Sequence, residues 1–408
     1  MLKSSTILRL IMAQSDFATI NFYVNFVLKI DFNLFLIIFT QTKDAAMKKS
    51  KVILSVFLLV QIIVIKILSA FPEFIEKYYS NGLYLWISKI SRIIFRSLNF
   101  SIGDVIYLIL IIILIRYIFK NRRTIFSWKS WKTDWKSKFL TVTSFVSVFY
   151  FFFNFLWGLN YHRIPLYEKM NLDKEYTKEE LIVFTKKMIL KVNEIHSQIA
   201  KNDSLKIINP YNIETIYDKT QNGYDRLGNQ YSSFKYENPS IKKSLVSLPL
   251  TYMGFGGYLN PFTNEAQVNY KIPKYNFPTT VCHEMAHQLG YASESEANFI
   301  GYLASINNND IYFKYSGYSY ALKYCLGNID RFEEGKSKEL WPLIHPGILK
   351  NFQESQDFWN NYQTPIDTFF HYFYDHFLKA NQQKDGLEGY NKFVGLMIGY
   401  YKNEAKVE

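Results

Sequence analysis

Three apolar runs lie in the first 158 residues, each long enough to cross a bilayer as a helix. Residues 52–71, VILSVFLLVQIIVIKILSAF, carry a single charge, Lys66. Residues 103–119 read GDVIYLILIIILIRYIF, and residues 138–158 read KFLTVTSFVSVFYFFFNFLWG. In hydrocarbon a backbone satisfies its own polar groups only as a helix or a closed barrel, so these runs predict three transmembrane helices. The charge distribution agrees. The net charge is +12, with 20 Lys+Arg against 7 Asp+Glu up to residue 158 and 27 against 28 beyond it. All the excess positive charge therefore lies in the apolar part, where it reads as membrane topology. The near-neutral remainder excludes a nucleic-acid binder.

Basic residues in short loops face the cytoplasm. The stretch from Arg116 to Lys138 has eight basic residues and one acid, and Lys48, Lys49 and Lys51 precede the first run. With both on the inside, three spans place everything after about residue 160 outside the cytoplasmic membrane. Between the first two spans, LYLWISKISRIIFRSL is amphipathic and is expected to lie on the outer membrane surface. Trp128, Trp131 and Trp135, mixed with lysines, suggest a second surface helix on the inner side. Met47-Lys-Lys-Ser-Lys has the form of a natural N-terminus, so residues 1–46 read as a leader or a mis-assigned start. The expected organisation is residues 1–46 as that leader, 47–160 as a three-span region and 161–408 as an extracytoplasmic domain.

From about residue 165 the pattern is that of a globular domain. YTKEELIVFTKKMILKVNEIHSQIA has helical spacing. QNGYDRLGNQ carries turn signals, and SLVSLPL is a short strand candidate. The chain has two cysteines, Cys282 and Cys325, which cannot form a disulfide framework, although one bridge is possible.

Within this domain FPTTVCHEMAHQLG predicts a helix, with Pro278 in its first turn and Gly290 as its left-handed cap. His283 and His287 are four residues apart, hence on one face, and both imidazoles can reach one metal ion. Glu284 lies beside them as a general base. Cys282 reads as a small buried hydrophobe. A catalytic zinc takes three protein ligands, and the next helix, SESEANFIGYLASINN, offers Glu294 or Glu296. Ser293 and Glu296 have capping-box spacing, which gives Glu296 a structural task and favours Glu294. Asn298, on the face of Glu294, can orient a ligand histidine from outside the coordination sphere.

Upstream, Glu265, Gln267 and Asn269 alternate with apolar residues, the period of a strand with one polar face. It is either an ordinary edge strand or the lining of a cleft, where Glu265 and Asn269 bind substrate and a peptide adds to the free edge. If such a centre hydrolyses an amide, it also needs a donor for the oxyanion of the tetrahedral intermediate. Tyr374, His376 and Tyr390 are the candidates.

His283, Glu284, His287 and the run Glu294 to Asn298 resemble the gluzincin metallopeptidases. The resemblance implies His283, His287 and Glu294 as zinc ligands and Glu284 as general base. Asn298 stands where that pattern has Asp, and the interval from His287 to Glu294 is short for it. PFTNEAQVN, CHEMAHQLGYASESEANFIGYLA and YDHFLKANQQKDGLEGY, with the multi-span start, resemble the bacterial membrane-protein family of domain of unknown function 3810.

The expected fold is α+β: about three N-terminal transmembrane helices, then a mostly helical zincin-like metallopeptidase domain with a small sheet. The expected function is a multi-pass, membrane-anchored zinc metallopeptidase acting on a peptide or protein, with Zn2+ as cofactor and the bilayer as partner. The alternative is an inactive zincin-fold receptor or scaffold at the cell envelope.

Overall fold

The computed structural model describes residues 45–381 and 390–407, so the leader expected over residues 1–46 falls almost wholly outside the described residues. The chain forms two compact units. One contains the described residues up to Ile67 together with Ile111–Phe155, and the other contains Leu68–Leu110 and the chain from Leu156 onward.

The first unit holds α1 (Ala45–Leu68), the later turns of α3 (Ile102–Ile125) and nearly all of α4 (Trp128–Leu156). Among the described residues, three segments are long and apolar enough to cross a membrane: Lys48–Leu68, Ile102–Ile125 and Lys132–Leu156. The helix α4 breaks at Asp134 (φ −115°, ψ 16°), so the tryptophan-rich stretch is a short helical piece ahead of the span. The few polar side chains in these helices find partners on one another. Gln61 Nε2 donates to Ser147 Oγ at 2.9 Å, Lys51 Nζ to Thr141 Oγ1 at 3.0 Å, and the Ser55 and Thr143 hydroxyls meet at 2.6 Å. Such pairs hold apolar helices together where hydrophobic association is weak.

The second unit is mostly helical with one small sheet. It begins with a π-helical stretch, Ile75–Leu83, that runs into α2 (Tyr84–Arg96). This segment packs on the C-terminal domain through its polar side, a contact that its amphipathic pattern alone does not reveal. Tyr84 Oη donates to Gln288 O at 3.1 Å, Ser88 Oγ to the same carbonyl at 2.9 Å, and the Arg92 guanidinium lies over the Tyr236 ring. Leu85, Trp86 and Ile93, on the other side, stay exposed. A buried ion cluster ties the π-helical stretch down: Glu76 accepts from Arg163 at 2.7 Å and from Lys169 at 2.6 Å.

Helices α5 (Lys178–Ile199) and α6 (Ile213–Gln230) follow. Thr177 and Glu180 close a capping box at the start of α5. The turn signals in QNGYDRLGNQ lie inside α6 instead of in a turn. Gly223 is there for close packing, since a Cβ on it would come within 2.0 Å of the Ala304 carbonyl oxygen. SLVSLPL also departs from expectation: the strand is β1 (Ile241–Lys243), and Ser247–Tyr252 is a helical turn that tolerates Pro249 in its first residues.

β2 (Gly257–Leu259) and β3 (Ala266–Val268) complete a sheet of order β1-β3-β2. β1 runs parallel to β3 with Lys242 opposite Gln267, and β2 runs antiparallel to it with Tyr258 opposite Gln267. β3 is thus the central strand, paired on both sides. The edge-strand reading of this segment is wrong: β1 and β2 are the edges.

After the sheet come α7 (Phe277–Gln288), which packs on β2 and β3, α8 (Glu294–Asn307) and α9 (Ile311–Phe332), then α10 (Pro346–Asn360), α11 (Pro365–Ala380) and α12 (Tyr390–Val407). Phe299, Ile300 and Leu303 of α8 and Phe313 and Leu322 of α9 are fully buried in one core with α5 and α12. Both cysteines are free and buried in it. The fold is mostly helical with a small three-stranded sheet, as the sequence suggests.

Candidate metal centre

The helix α7 ends as its sequence predicts, and the way it ends orients one histidine. Gly290 sits at φ 84°, its N–H bonds His287 O at 2.9 Å, and the Tyr291 N–H reaches back to Ala286 O. This is a Schellman cap. The same turn brings the Tyr291 carbonyl to 2.7 Å from His287 Nδ1. A carbonyl only accepts, so Nδ1 carries the hydrogen and the Nε2 lone pair of the neutral ring is left free. The edge of the Trp157 indole flanks the same ring, with centroids 6.1 Å apart.

His283 lies one turn earlier on α7, and its Nε2 is 3.1 Å from that of His287. Helix α8 crosses directly beneath. A Cβ on Gly301 would stand 2.8 Å from the His283 amide nitrogen, so only glycine lets the helices approach this closely. The crossing delivers Glu294, in the first turn of α8, to 3.3 Å from His283 Nε2 and 3.7 Å from His287 Nε2. Tyr374 of α11 donates its hydroxyl to Glu294 Oε1 at 2.6 Å.

These donors suit zinc. A tetrahedral ion with nitrogen and oxygen bonds of ~2.0–2.1 Å has ligands ~3.3 Å apart; the two Nε2 atoms are 3.1 Å apart, and each faces one oxygen of the Glu294 carboxylate, His283 with Oε2 at 3.3 Å and His287 with Oε1 at 3.7 Å. Glu284 is the fourth member of the cluster. One donor atom from each of His283, Glu284 and His287 lies within 4.8 Å of the others. Its Oε2 is buried without a hydrogen-bond partner. Edge strand β2 passes over it: a Cβ on Gly257 would come within 2.5 Å of Glu284 Oε1.

The electrostatics show four ionisable groups competing for one small space. Burial works against charge on His283, but the Glu294 hydrogen bond and the charges of Glu284 and Glu294 outweigh it and raise its pKa. Burial pushes His287 down to about 4 and Glu284 up to about 8. Burial also opposes ionisation of Glu294, yet the His283 hydrogen bond, the two imidazole charges and the Tyr374 hydroxyl hold it at about 2. One carboxylate is thus kept charged against two imidazoles, while its neighbour favours its proton.

The remaining predicted residues fall into three groups. Asn298 helps to favour the charged form of His283, and its side-chain oxygen accepts from Tyr320 at 2.6 Å; His283 Nδ1 itself is buried without a hydrogen-bond partner. Glu296 faces away from the histidines and accepts the Leu166 N–H at 2.7 Å. Its capping-box role does not form: Ser293 makes no side-chain cap and bonds Ser295 instead. The structural task expected of Glu296 is real, but it caps a different helical turn, Leu166–Lys169.

Glu265 and Asn269 do not face a cleft. Glu265 is fully buried and accepts from the Gly103 N–H at 2.7 Å and the Ile102 N–H at 3.2 Å, at the N-terminus of α3. Asn269 donates to Thr251 Oγ1 at 2.9 Å and Phe255 O at 3.0 Å. The polar face of β3 is an internal fastening.

Of the three oxyanion candidates, Tyr374 is at the centre. His376 is not: two residues on, it projects from the other side of α11, exposed, and bonds the Tyr372 carbonyl at 2.8 Å. Tyr390 begins α12, and its side chain lies outside the described ones.

Sequence reading missed other residues here. Tyr161 is partly buried, feels the charge on Glu294, and packs edge-on against Phe377. With Trp157 it comes from WGLNYH, immediately after the last span, where aromatic residues are routine. His371 pairs with Asp367 at 3.1 Å and lies against Gly254, one turn before Tyr374. Its i, i+4 spacing from Asp367 and i, i+3 spacing to Tyr374 were the available signals.

Comparison with known proteins adds a family and no activity. No curated protein and no solved structure matches the chain. A family model described as protein of unknown function (DUF3810) matches residues 79–398, from the π-helical stretch to the middle of α12. That match takes in every element of the candidate centre, and the chain belongs to this family of proteins of unknown function, DUF3810.

Proposed function

We propose that the protein is a membrane-anchored zinc metallopeptidase of gluzincin-like, zincin-type architecture. The observation that carries this reading is the buried, unpartnered Oε2 of Glu284 beside the donor triad. A structural metal site has no use for such a carboxylate, and leaving it without a partner costs stability. This also weighs against the receptor or scaffold alternative.

His283, His287 and Glu294 would hold the ion. Zinc in such a site supplies Lewis acidity, polarising a carbonyl and bringing the pKa of a water to ~7. The rest is done by the chain. Glu284, which a cation's charge in the site would return to its ionised form, takes a proton from the attacking water as the new C–O bond forms, then gives that proton to the amide nitrogen as the C–N bond breaks. Tyr374 and the Tyr291 carbonyl fix Glu294 and His287 so that their donor atoms converge. Among the described residues, β2 is paired on one side only, and it passes over Glu284. An extended peptide adding to that edge would present its carbonyls to the centre. The substrate edge is therefore β2, in place of the β3 surface expected from sequence.

The basic stretches before Lys51 and between Arg116 and Lys138 support a cytoplasmic-membrane location with the C-terminal domain outside. The test is Glu284→Gln in the full chain, assayed against a peptide library alongside elemental analysis. Zinc retained with hydrolysis lost by at least ~100-fold is expected. Hydrolysis unchanged in the variant would overturn the reading.

A further inference from the structure

A second cluster of metal-binding groups lies on elements that supply nothing to the first. His196 is in the last turn of α5, Asp203 is in the loop that follows, and His345 is the residue before α10. One donor atom from each lies within 4.8 Å of the others. We propose that these three residues form a second site for a divalent transition cation of the zinc class.

Geometry and tautomer both support this. The Nδ1 atoms of His196 and His345 face each other at 3.3 Å, and Asp203 Oδ1 is 3.4 Å from His345 Nδ1. Those are the ligand separations of ~3.3 Å that a tetrahedral ion with ~2.0–2.1 Å bonds requires. They also match the spacings in the His283 centre. His196 is fully buried and its Nε2 bonds the Leu205 carbonyl at 2.9 Å. That carbonyl only accepts, so the hydrogen is on Nε2 and the Nδ1 lone pair points into the cluster.

The surrounding backbone is held in place without a metal. Asn193, one turn before His196, accepts the His345 N–H at 3.0 Å and donates to Leu343 O at 2.7 Å, while the Gly347 N–H bonds Asp203 O at 2.8 Å. Two nitrogens and one carboxylate suit zinc and its neighbours better than magnesium or calcium, which favour all-oxygen shells. Asp203 is largely exposed and His345 partly so, which leaves a solvent-facing position for a fourth ligand. A cation here would staple the α5–α6 loop to the start of α10. The competing arrangement is a proton on His345 Nδ1 shared with His196 and Asp203.

The experiment uses the full chain in detergent, stripped with chelator and titrated with Zn2+, with bound zinc counted by elemental analysis and thermal unfolding followed in parallel. The variants are His345→Ala, Asp203→Asn, His283→Ala and the His283→Ala/His345→Ala pair. The expected result is a zinc ion that survives His283→Ala, raises its melting temperature, and disappears in the double variant. Asp203→Asn, at an exposed side chain, should weaken that site by on the order of 10-fold or more, at least the loss seen for outer-shell changes. A His283→Ala protein that binds no zinc and gains no thermal stability from it would overturn the proposal. Failure of the peptidase reading looks different: one zinc in the wild type, kept in His283→Ala and lost in His345→Ala.

Discussion

Tyr374 separates two roles that sequence alone cannot tell apart. A tyrosine from a late helix was expected as an oxyanion donor, but its hydroxyl is already engaged with Glu294 Oε1 at 2.6 Å. If it orients that carboxylate, Tyr374→Phe should weaken zinc binding by about 10–100-fold and leave kcat at saturating zinc nearly unchanged. A fall in kcat with zinc affinity intact would return it to the oxyanion. Gly301 gives a second test. A methyl there meets the His283 backbone at 2.8–2.9 Å, and backbone cannot swing away as a side-chain tip can. Gly301→Ala should cost about 1–3 kcal/mol by thermal unfolding and loosen zinc binding with it. His283, Glu284 and His287 were legible because a four-residue spacing on a helix fixes a shared face regardless of what surrounds it. Glu265 and Asn269 were misread for the converse reason. Alternation says that two side chains share a side of a strand, but it is silent on whether that side meets solvent or, as here, the end of another helix.

At the scale of elements, the segment Ile75–Arg96 shows what patterning leaves out. Its amphipathicity was legible, but not which face the protein would claim; the domain took the side with Tyr84, Ser88 and Arg92. Glu76 is the anchor. Burial opposes its charge, but hydrogen bonds and charges from Arg163 and Lys169 overcome it and hold the carboxyl at about 2. A carboxylate whose folded pKa lies below its unfolded value stabilises fully above the unfolded value and loses that contribution as pH falls toward the folded one. Glu76→Gln leaves the buried Arg163 without its partner and should cost about 3–5 kcal/mol at neutral pH. The gap between wild type and variant should narrow as pH drops from about 4.5 toward 2, the range set by the shift. Melting curves across that range in detergent check it, and a gap independent of pH would show that the cluster is not held by the Glu76 charge.

At the scale of the whole molecule, the proposed sidedness rests jointly on the helix count and the charge pattern. Three spans put the two ends of the membrane region on opposite sides, and the basic residues choose which end is inside. The domain's side depends on the count, because one more span would reverse it. The protein carries its own means of deciding. Both native cysteines are buried and free, and burial pushes each thiol up to about 12, so neither should react quickly with a maleimide in the folded protein. Single cysteines placed at the exposed positions Lys129 and Lys201 would then report without background. With a membrane-impermeant maleimide on intact cells, Lys201→Cys should label at once and Lys129→Cys only after the membrane is opened. The reverse pattern would put the candidate metal centre in the cytoplasm. Labelling of both in intact cells would mean an even number of crossings between the two positions, and Lys132–Leu156 would then have to be a helix that lies on the membrane without crossing it.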